Sequence, residues 1–339
     1  MRIFIHEHIT GGGLAGASLP GSLATEGRAM LFAIAEDVAA LPGASAVITL
    51  DRRVEPPPPC ASLAVVRIRG KDEARSRFRE LAASSDGTLV IAPETGGVLA
   101  ATVRAVREAG GRHLGSPAEA IERASDKLFL PAILGKADVP GLPAEPWNPS
   151  RPPPPGAVVV KPRRGAGSER VVLIDGTRSP PPAREGEDLI ATPYIEGIAA
   201  SVLVIAGSGG AAPLRACAQD LSSSGDFAYL GGRLPLAAPL EARARHLALA
   251  AVEAIPGLAG FTGVDLILDR GKDGAQVPRD VVVEVNARLT TSYVGLRAQA
   301  RTNLASVWLA AVLGRPLPSI VWRPGETRFL ADGTVAAGT

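Results

Sequence analysis

At 339 residues the chain is longer than one small core organises, and two or three domains are expected. Its 36 basic and 34 acidic residues nearly cancel, and no basic tract or aromatic–basic interleaving marks a nucleic-acid surface. Cys60 and Cys217 give neither a disulfide framework nor zinc spacing, the opening "MRIFIHEHIT" holds no signal-peptide core, and no apolar run nears the ~20 residues of a membrane helix, so a cytoplasmic protein without a membrane partner is expected.

Strands and helices alternate at first. "RIFIHE", "SAVITLD", "LAVVRIRG" and "GTLVIAP" read as strands, and "ATEGRAMLFAIAEDVAAL", "DEARSRFRELAA" and "VLAATVRAVREAG" as helices. This alternation predicts a parallel sheet with covering helices. Proline runs at 56–59, 152–155 and 180–182 read as loops or a subdomain seam. After Gly156, "AVVVKP", "RVVLID", "SVLVIAG", "FTGVDLIL" and "DVVVEVN" are strands joined mostly by short turns, which predicts antiparallel sheet. One helix, "EARARHLALAAVEAI", interrupts them, and "LASVWLAAVL" closes the core.

Gly11, Gly13 and Gly16 fit the dinucleotide fingerprint after the first strand. However, "ASLPGSLATEG" separates them from the helix, and Asp51 lies beyond the ~20-residue offset of the fingerprint's acid. They read as a glycine-rich loop, and a nicotinamide oxidoreductase is the weaker alternative. His6 and His8 have no third partner nearby and read as packing residues.

Only five basic residues are lysine: Lys71, Lys127, Lys136, Lys161 and Lys272. Lys161 precedes a glycine loop in "VVVKPRRGAGSERVVLID", where the N–H groups of Gly165, Ala166, Gly167 and Ser168 can fold over phosphates. Lys127, in "SDK", is expected early in a helix. Both lysines can serve as point charges for phosphate.

The stretch "DVVVEVNARLTTSYVG" places Val281, Val283 and Val285 on one strand face and Glu284, Asn286 and Arg288 on the other. A Gly-Lys-Asp-Gly turn centred near residue 274 or 275 pairs this strand with "GFTGVDLILD" and sets Asp265 almost opposite Glu284. Two carboxylates and an amide oxygen suit Mg²⁺, which binds through a few such groups plus substrate phosphates. Arg288 could then neutralise a transferring phosphoryl group. Thr291, Ser292 and Tyr293 either line the same face or turn the chain into its last helix.

Lysine in "SDK", a second lysine before a glycine loop, a hinge like "TPYIEG", then Asp and "EVNAR" resemble the ATP-grasp carboxylate–amine ligases. "EGRAML", "IAPETGGVL", "SDK" and "EVNARLTTSYVGLR" are similar to the tyramine–L-glutamate ligases of methanofuran-type cofactor biosynthesis. The resemblance implies an α/β, ATP-grasp fold. A Rossmann-like pre-domain (1–115) would precede a central subdomain with the phosphate loop (116–190) and a C-terminal subdomain with the Mg²⁺ site (191–330), the antiparallel sheets sandwiching ATP. By the same resemblance, Lys127, Lys161 and the 165–168 loop would contact ATP phosphates, and Tyr194 and Ile195 would meet adenine. Asp265, Glu284 and Asn286 would hold Mg²⁺, and Arg288 would steady an acyl phosphate. Glu26 would bind a substrate amine, with Arg288 and Ser292 also on substrate. The family's ribose-binding acid is replaced by Ile198 and Ala199, which leaves Glu196 for that role. The implied partners are an amino acid and an amine, and a homodimer is left open. The implied activity joins L-glutamate to an amine. The alternatives are another amino acid–amine pair and a nucleotide-binding regulator without turnover.

Overall fold

Uninterrupted apolar runs separated by amphipathic helices build the first sheet. The computed structural model describes residues 1–149, 156–176, 188–270 and 279–337, so the expected turn near residue 274 and the proline runs at 152–155 and 180–182 lie outside the described residues. The chain begins with β1 (Arg2–Glu7), α1 (Gly21–Ala39), β2 (Ser45–Asp51), β3 (Leu63–Ile68), α2 (Lys71–Ser84), β4 (Gly87–Ile91) and α3 (Val98–Glu108). Its strands pair in parallel in the order β3-β2-β1-β4. Nearly every residue of β1, β2 and β4 is buried, as helices on both faces of a parallel sheet require.

The chain continues through α4 (Ala118–Ser125) and α5 (Leu130–Gly135). Next come β5 (Glu145–Pro146), β6 (Val158–Pro162), β7 (Val172–Ile174) and β8 (Leu189–Pro193), a small antiparallel sheet in the order β5-β8-β6-β7. The remainder is β9 (Ile198–Gly207), β10 (Gly210–Leu221), β11 (Tyr229–Leu234), α6 (Ala238–Glu253), β12 (Gly260–Leu268), β13 (Val281–Asn286), α7 (Ser292–Gln299), α8 (Leu304–Val312), β14 (Thr327–Leu330) and β15 (Val335–Ala337). Its seven strands run antiparallel in the order β13-β12-β9-β10-β11-β14-β15. The parallel first sheet and the antiparallel sheets that follow are those the sequence patterns predict. β8, β10 and β11 are not legible as strands in the sequence, because Pro193, Pro213 and paired glycines dilute their apolar alternation.

The cores do not follow the sheet boundaries. Leu31 and Ile34 of α1, Tyr293 of α7 and Trp308 of α8 belong to one apolar cluster that also holds residues of the first and seven-stranded sheets. Within it Phe261 stacks on Trp308 at 5.4 Å and meets Tyr293 edge-on at 5.5 Å. A second cluster joins α3, α4 and α6 to residues of both large sheets. The small sheet has its own core of Val158, Val160, Ile174, Leu189 and Ala191.

Candidate active site

The β12–β13 ladder sets Asp265 opposite Glu284 and Asn286 opposite Gly263. The expected strict alternation breaks once. A bulge between Asp265 and Leu266 pairs Leu266 with Val282, so Val283 is the extra residue and lines the cavity together with Glu284. Val282 and Val285, rather than Val283, then share the core face. The bulge keeps Glu284, Asn286 and Arg288 on the cavity wall.

Asp265 and Glu284 form a half-buried acid pair. Asn286 Nδ2 donates to Asp265 Oδ2 at 3.0 Å and to Glu284 Oε1 at 3.3 Å, and Gln219 Nε2 of β10 donates to Asp265 Oδ1 at 3.0 Å. Burial, then the charge of Glu284, raises the Asp265 carboxyl well above its ordinary value. Burial acts in the same sense on Glu284, but Lys127 and Lys161 outweigh it and hold that carboxyl low. Such a pair behaves as two acids sharing one proton. A divalent cation would replace that proton, and Asn286 turned by half a rotation would add an amide oxygen, so these residues fit Mg²⁺. Among the described residues no group of three His, Cys, Asp or Glu gathers, so the remaining ligands would be substrate oxygens and water.

Two lysines face this pair. Lys127 Nζ lies 3.1 Å from Glu284 Oε2 and donates to the Gly165 carbonyl at 2.7 Å. It is not early in a helix, as the sequence predicts, but in the turn between α4 and α5. Asp126 beside it breaks the helix and takes Arg163 on both oxygens at 2.7 Å and Arg164 at 2.6 Å. That clamp ties the root of the glycine loop to the turn. Lys161 of β6 is 7% exposed, lines the cavity, and has no hydrogen-bond or ion-pair partner among the described residues. Burial is the main cause that brings it down to about 8.

The loop from Gly165 to Ser168 roofs the cavity. Gly167 has φ +70, a left-handed conformation that favours glycine, and a Cβ there would come within 2.5 Å of the Leu23 Cδ2 of α1, which would have to turn aside. Ala166 N–H donates to Thr95 Oγ1 at 3.2 Å, and Ser168 Oγ donates to the Phe227 carbonyl at 2.7 Å.

At the far end, Arg288 is half-buried and its Nε donates to Glu94 Oε1 at 3.0 Å. Burial disfavours its charge, and Glu94, Glu26 and Glu284 more than offset this, so it stays firmly cationic. Glu26 of α1 accepts from Thr291 Oγ1 at 2.9 Å, and burial is the main cause that raises its carboxyl. Ser292 lines the cavity and shares a 3.0 Å hydrogen bond with Thr290. Tyr293 does not line it. It is fully buried on the other side, and its hydroxyl donates to Asp37 at 2.5 Å.

The cavity, about 260 Å³, brings together Glu26, Lys127, Lys161, the 165–168 loop, Tyr194, Ile195, Asp265, Glu284, Asn286, Arg288 and Ser292. Tyr194 stacks near Phe227, with centroids 6.2 Å apart. Glu196 is exposed and outside the cavity lining, whereas Glu169 of the loop lines the cavity. Glu94, Gln219 and Glu169 were missed from sequence. The signal for Gln219 was a polar residue in an apolar strand, as at Glu284, but the strand itself was unread.

The glycine decoy folds as expected of a structural loop. Ile9–Gly13 forms a tight, largely buried turn, and α1 begins only at Gly21. His6 is buried, bonds Thr49 Oγ1 at 3.1 Å, and is driven down to about 3, chiefly by burial.

The family model for an ATP-grasp domain matches residues 124–292, and that for a pre-ATP-grasp domain matches residues 44–121. The tyramine–L-glutamate ligase of Methanocaldococcus jannaschii is 28% identical over 239 residues, which is 70% of this chain and 67% of the relative. A protein described as of the ATP-grasp superfamily, from Archaeoglobus fulgidus, superposes with a TM-score of 0.69 at 23% identity, over 97% of this chain and 92% of its own. An L-amino acid ligase from Bacillus licheniformis superposes with a TM-score of 0.64 at 17% identity, over 92% of this chain and 74% of its own. At such identities these superpositions speak for the fold.

Proposed function

This chain is an ATP-grasp protein that resembles the tyramine–L-glutamate ligases, and on that premise we propose that it joins the γ-carboxylate of L-glutamate to an amine such as tyramine at the expense of ATP. The observation that carries this reading is Lys161, buried and without a hydrogen-bond or ion-pair partner among the described residues, facing the Asp265–Glu284 pair. A cation and an acid pair left apart in one cavity call for a polyanion and a metal to lie between them.

In this reading the γ-phosphoryl group passes to the substrate carboxylate, and the amine then displaces phosphate from the acyl phosphate to leave the amide. Asp265, Glu284 and Asn286 would hold Mg²⁺, which supplies charge neutralisation for the phosphates. Lys161 and Lys127, both at the acid pair, would compensate phosphate charge. Arg288 steadies negative charge that develops on the transferring group. Glu26, its carboxyl raised by burial, is suited to hold the incoming ammonium and accept its proton. The roof loop excludes water, which would otherwise hydrolyse the acyl phosphate. Tyr194 and Ile195 are proposed to meet adenine. The boundaries at 115 and 190 are proposed as the seams between the pre-domain and the two ATP-grasp subdomains.

Purified protein with ATP, Mg²⁺, L-glutamate and tyramine should release ADP and yield γ-glutamyltyramine by mass spectrometry. Hydroxylamine in place of tyramine should give a hydroxamate. No product from this pair, with turnover of another acid and amine, would leave a ligase and overturn the substrate assignment.

A further inference from the structure

Beyond β4 the first sheet sends a turn into the site. Glu94 is 3% exposed and holds Arg288, a residue 194 positions away. Its other oxygen, Oε2, is buried with no hydrogen-bond partner among the described residues. A carboxylate kept for stability is normally saturated. Glu7, at the end of β1, shows that case: its oxygens take Ile9 N–H at 2.9 Å and the Thr10 N–H and hydroxyl at 2.6 Å. Glu94 is held half-satisfied, which costs free energy and marks a residue placed for its charge.

The purpose of that charge lies in what surrounds Arg288. Glu26 and Glu284 attract the same guanidinium from the cavity wall. An arginine free to choose would fold onto either and be lost to an anionic substrate. Glu94 takes Nε, and the Leu289 carbonyl takes Nη1 at 3.2 Å. The guanidinium is thereby fixed, with donors left for the cavity.

Thr95, the next residue, accepts the Ala166 N–H of the phosphate loop. Gly96 and Gly97 follow with φ +64 and +72, two successive left-handed residues that lock the direction of the turn. Adjacent residues of one rigid turn thus hold the arginine of the acyl side and the loop of the nucleotide side.

We propose that the Glu94–Thr95 turn is a positioning element: Glu94 aims Arg288 at the reacting group while Thr95 pins the phosphate loop, so that the two halves of the site close together. The proposal rests on the ATP-dependent ligase reading.

The full chain tests it as Glu94→Gln, Glu94→Asp, Thr95→Val and Thr95→Ser. Glu94→Gln should lower kcat about a hundredfold, with the ATP KM unchanged within about twofold and little change in Tm, and Glu94→Asp should recover part of the loss. Thr95→Val should raise the ATP KM about fivefold and speed tryptic cleavage at Arg164 without nucleotide, and Thr95→Ser should restore both. A merely structural turn would lower Tm, with no split between kcat and KM and no rescue by serine. Wild-type kcat in Glu94→Gln, or unchanged ATP KM and cleavage in Thr95→Val, overturns the proposal. Kinetics are read with whichever acid–amine pair the wild type turns over. A wild type that releases ADP with no pair sinks the ligase reading and the Glu94 half with it, while the cleavage rates, which need no turnover, decide the Thr95 half alone.

Discussion

Lys161 lies 7% exposed beside Lys127 and the acid pair, and burial brings it down to about 8. Free protein therefore carries it increasingly neutral above that pH, whereas a polyphosphate beside it favours the ammonium form. The sign follows. Below about pH 7 Lys161 is protonated before and after binding, and no proton moves; above about pH 8 binding draws one in. Affinity for Mg·ATP should then fall by up to about tenfold per pH unit above 8. Calorimetry in buffers of different ionisation enthalpy should detect the uptake at about pH 8.5, and Lys161→Met should abolish it. Uptake that persists in the variant would place the proton elsewhere. The acid pair makes the opposite kind of prediction. Asp265→Asn and Glu284→Gln should each abolish amide formation, yet Asp265→Asn should leave metal-free Tm unchanged or up by about 2 °C, because a carboxyl whose charged form burial and Glu284 disfavour is replaced by its neutral isostere. A marked fall in Tm would mean that Asp265 is structural. The polar row of β13 was readable because a strand has period two. Glu94 was not, because nothing local distinguishes an acid that will meet an arginine 194 residues on.

At the scale of elements, the roof loop depends on Gly167 and on the Asp126 clamp. Gly167→Ala would meet both a left-handed φ and the Leu23 side chain, so it should raise the ATP KM about tenfold or more with little loss of Tm. Trypsin should enter at Arg164, whose side chain is 46% exposed, rather than at Arg163, which is 18% exposed and lies 4.9 Å over Phe129. Mg·ATP should slow that cut, and Asp126→Ala should open Arg163 as a second site. If nucleotide left the digestion pattern unchanged, the segment would be only a turn. The hairpin register could be anticipated because strand alternation and a turn centred near residue 274 or 275 leave few pairings. Its bulge could not, since inserting one residue alters no composition and is decided by what packs on each face.

Across the whole molecule, α1, α7 and α8 share one core, so the first sheet and the seven-stranded sheet are joined as one folding unit. The small sheet, with Lys161 and the roof loop, rests on a few residues of its own. A chain lacking residues 1–115 should therefore fail to fold, because the apolar faces of α7 and α8 would lose α1. Calorimetry of the full chain should show the two large sheets melting in a single transition, and Mg·ATP should raise its midpoint through binding to the native state alone. Separate melting of a unit confined to 1–115 would contradict a shared core.

Local patterns of the chain account for the parallel opening, the antiparallel remainder, the Asp265–Glu284 pairing and the lysine-bearing glycine loop. Each rests on short-range rules: strand alternation, turn length, and the rarity of lysine in this chain. Only the tertiary structure decided that Lys127 lies in a turn, that Tyr293 faces the core while Ser292 faces the cavity, and that Gln219 and Glu94 complete the acid pair and the arginine. Those outcomes depend on which surfaces packing brings together across long stretches of chain, where burial and charge pairing are settled by contacts that no local pattern encodes.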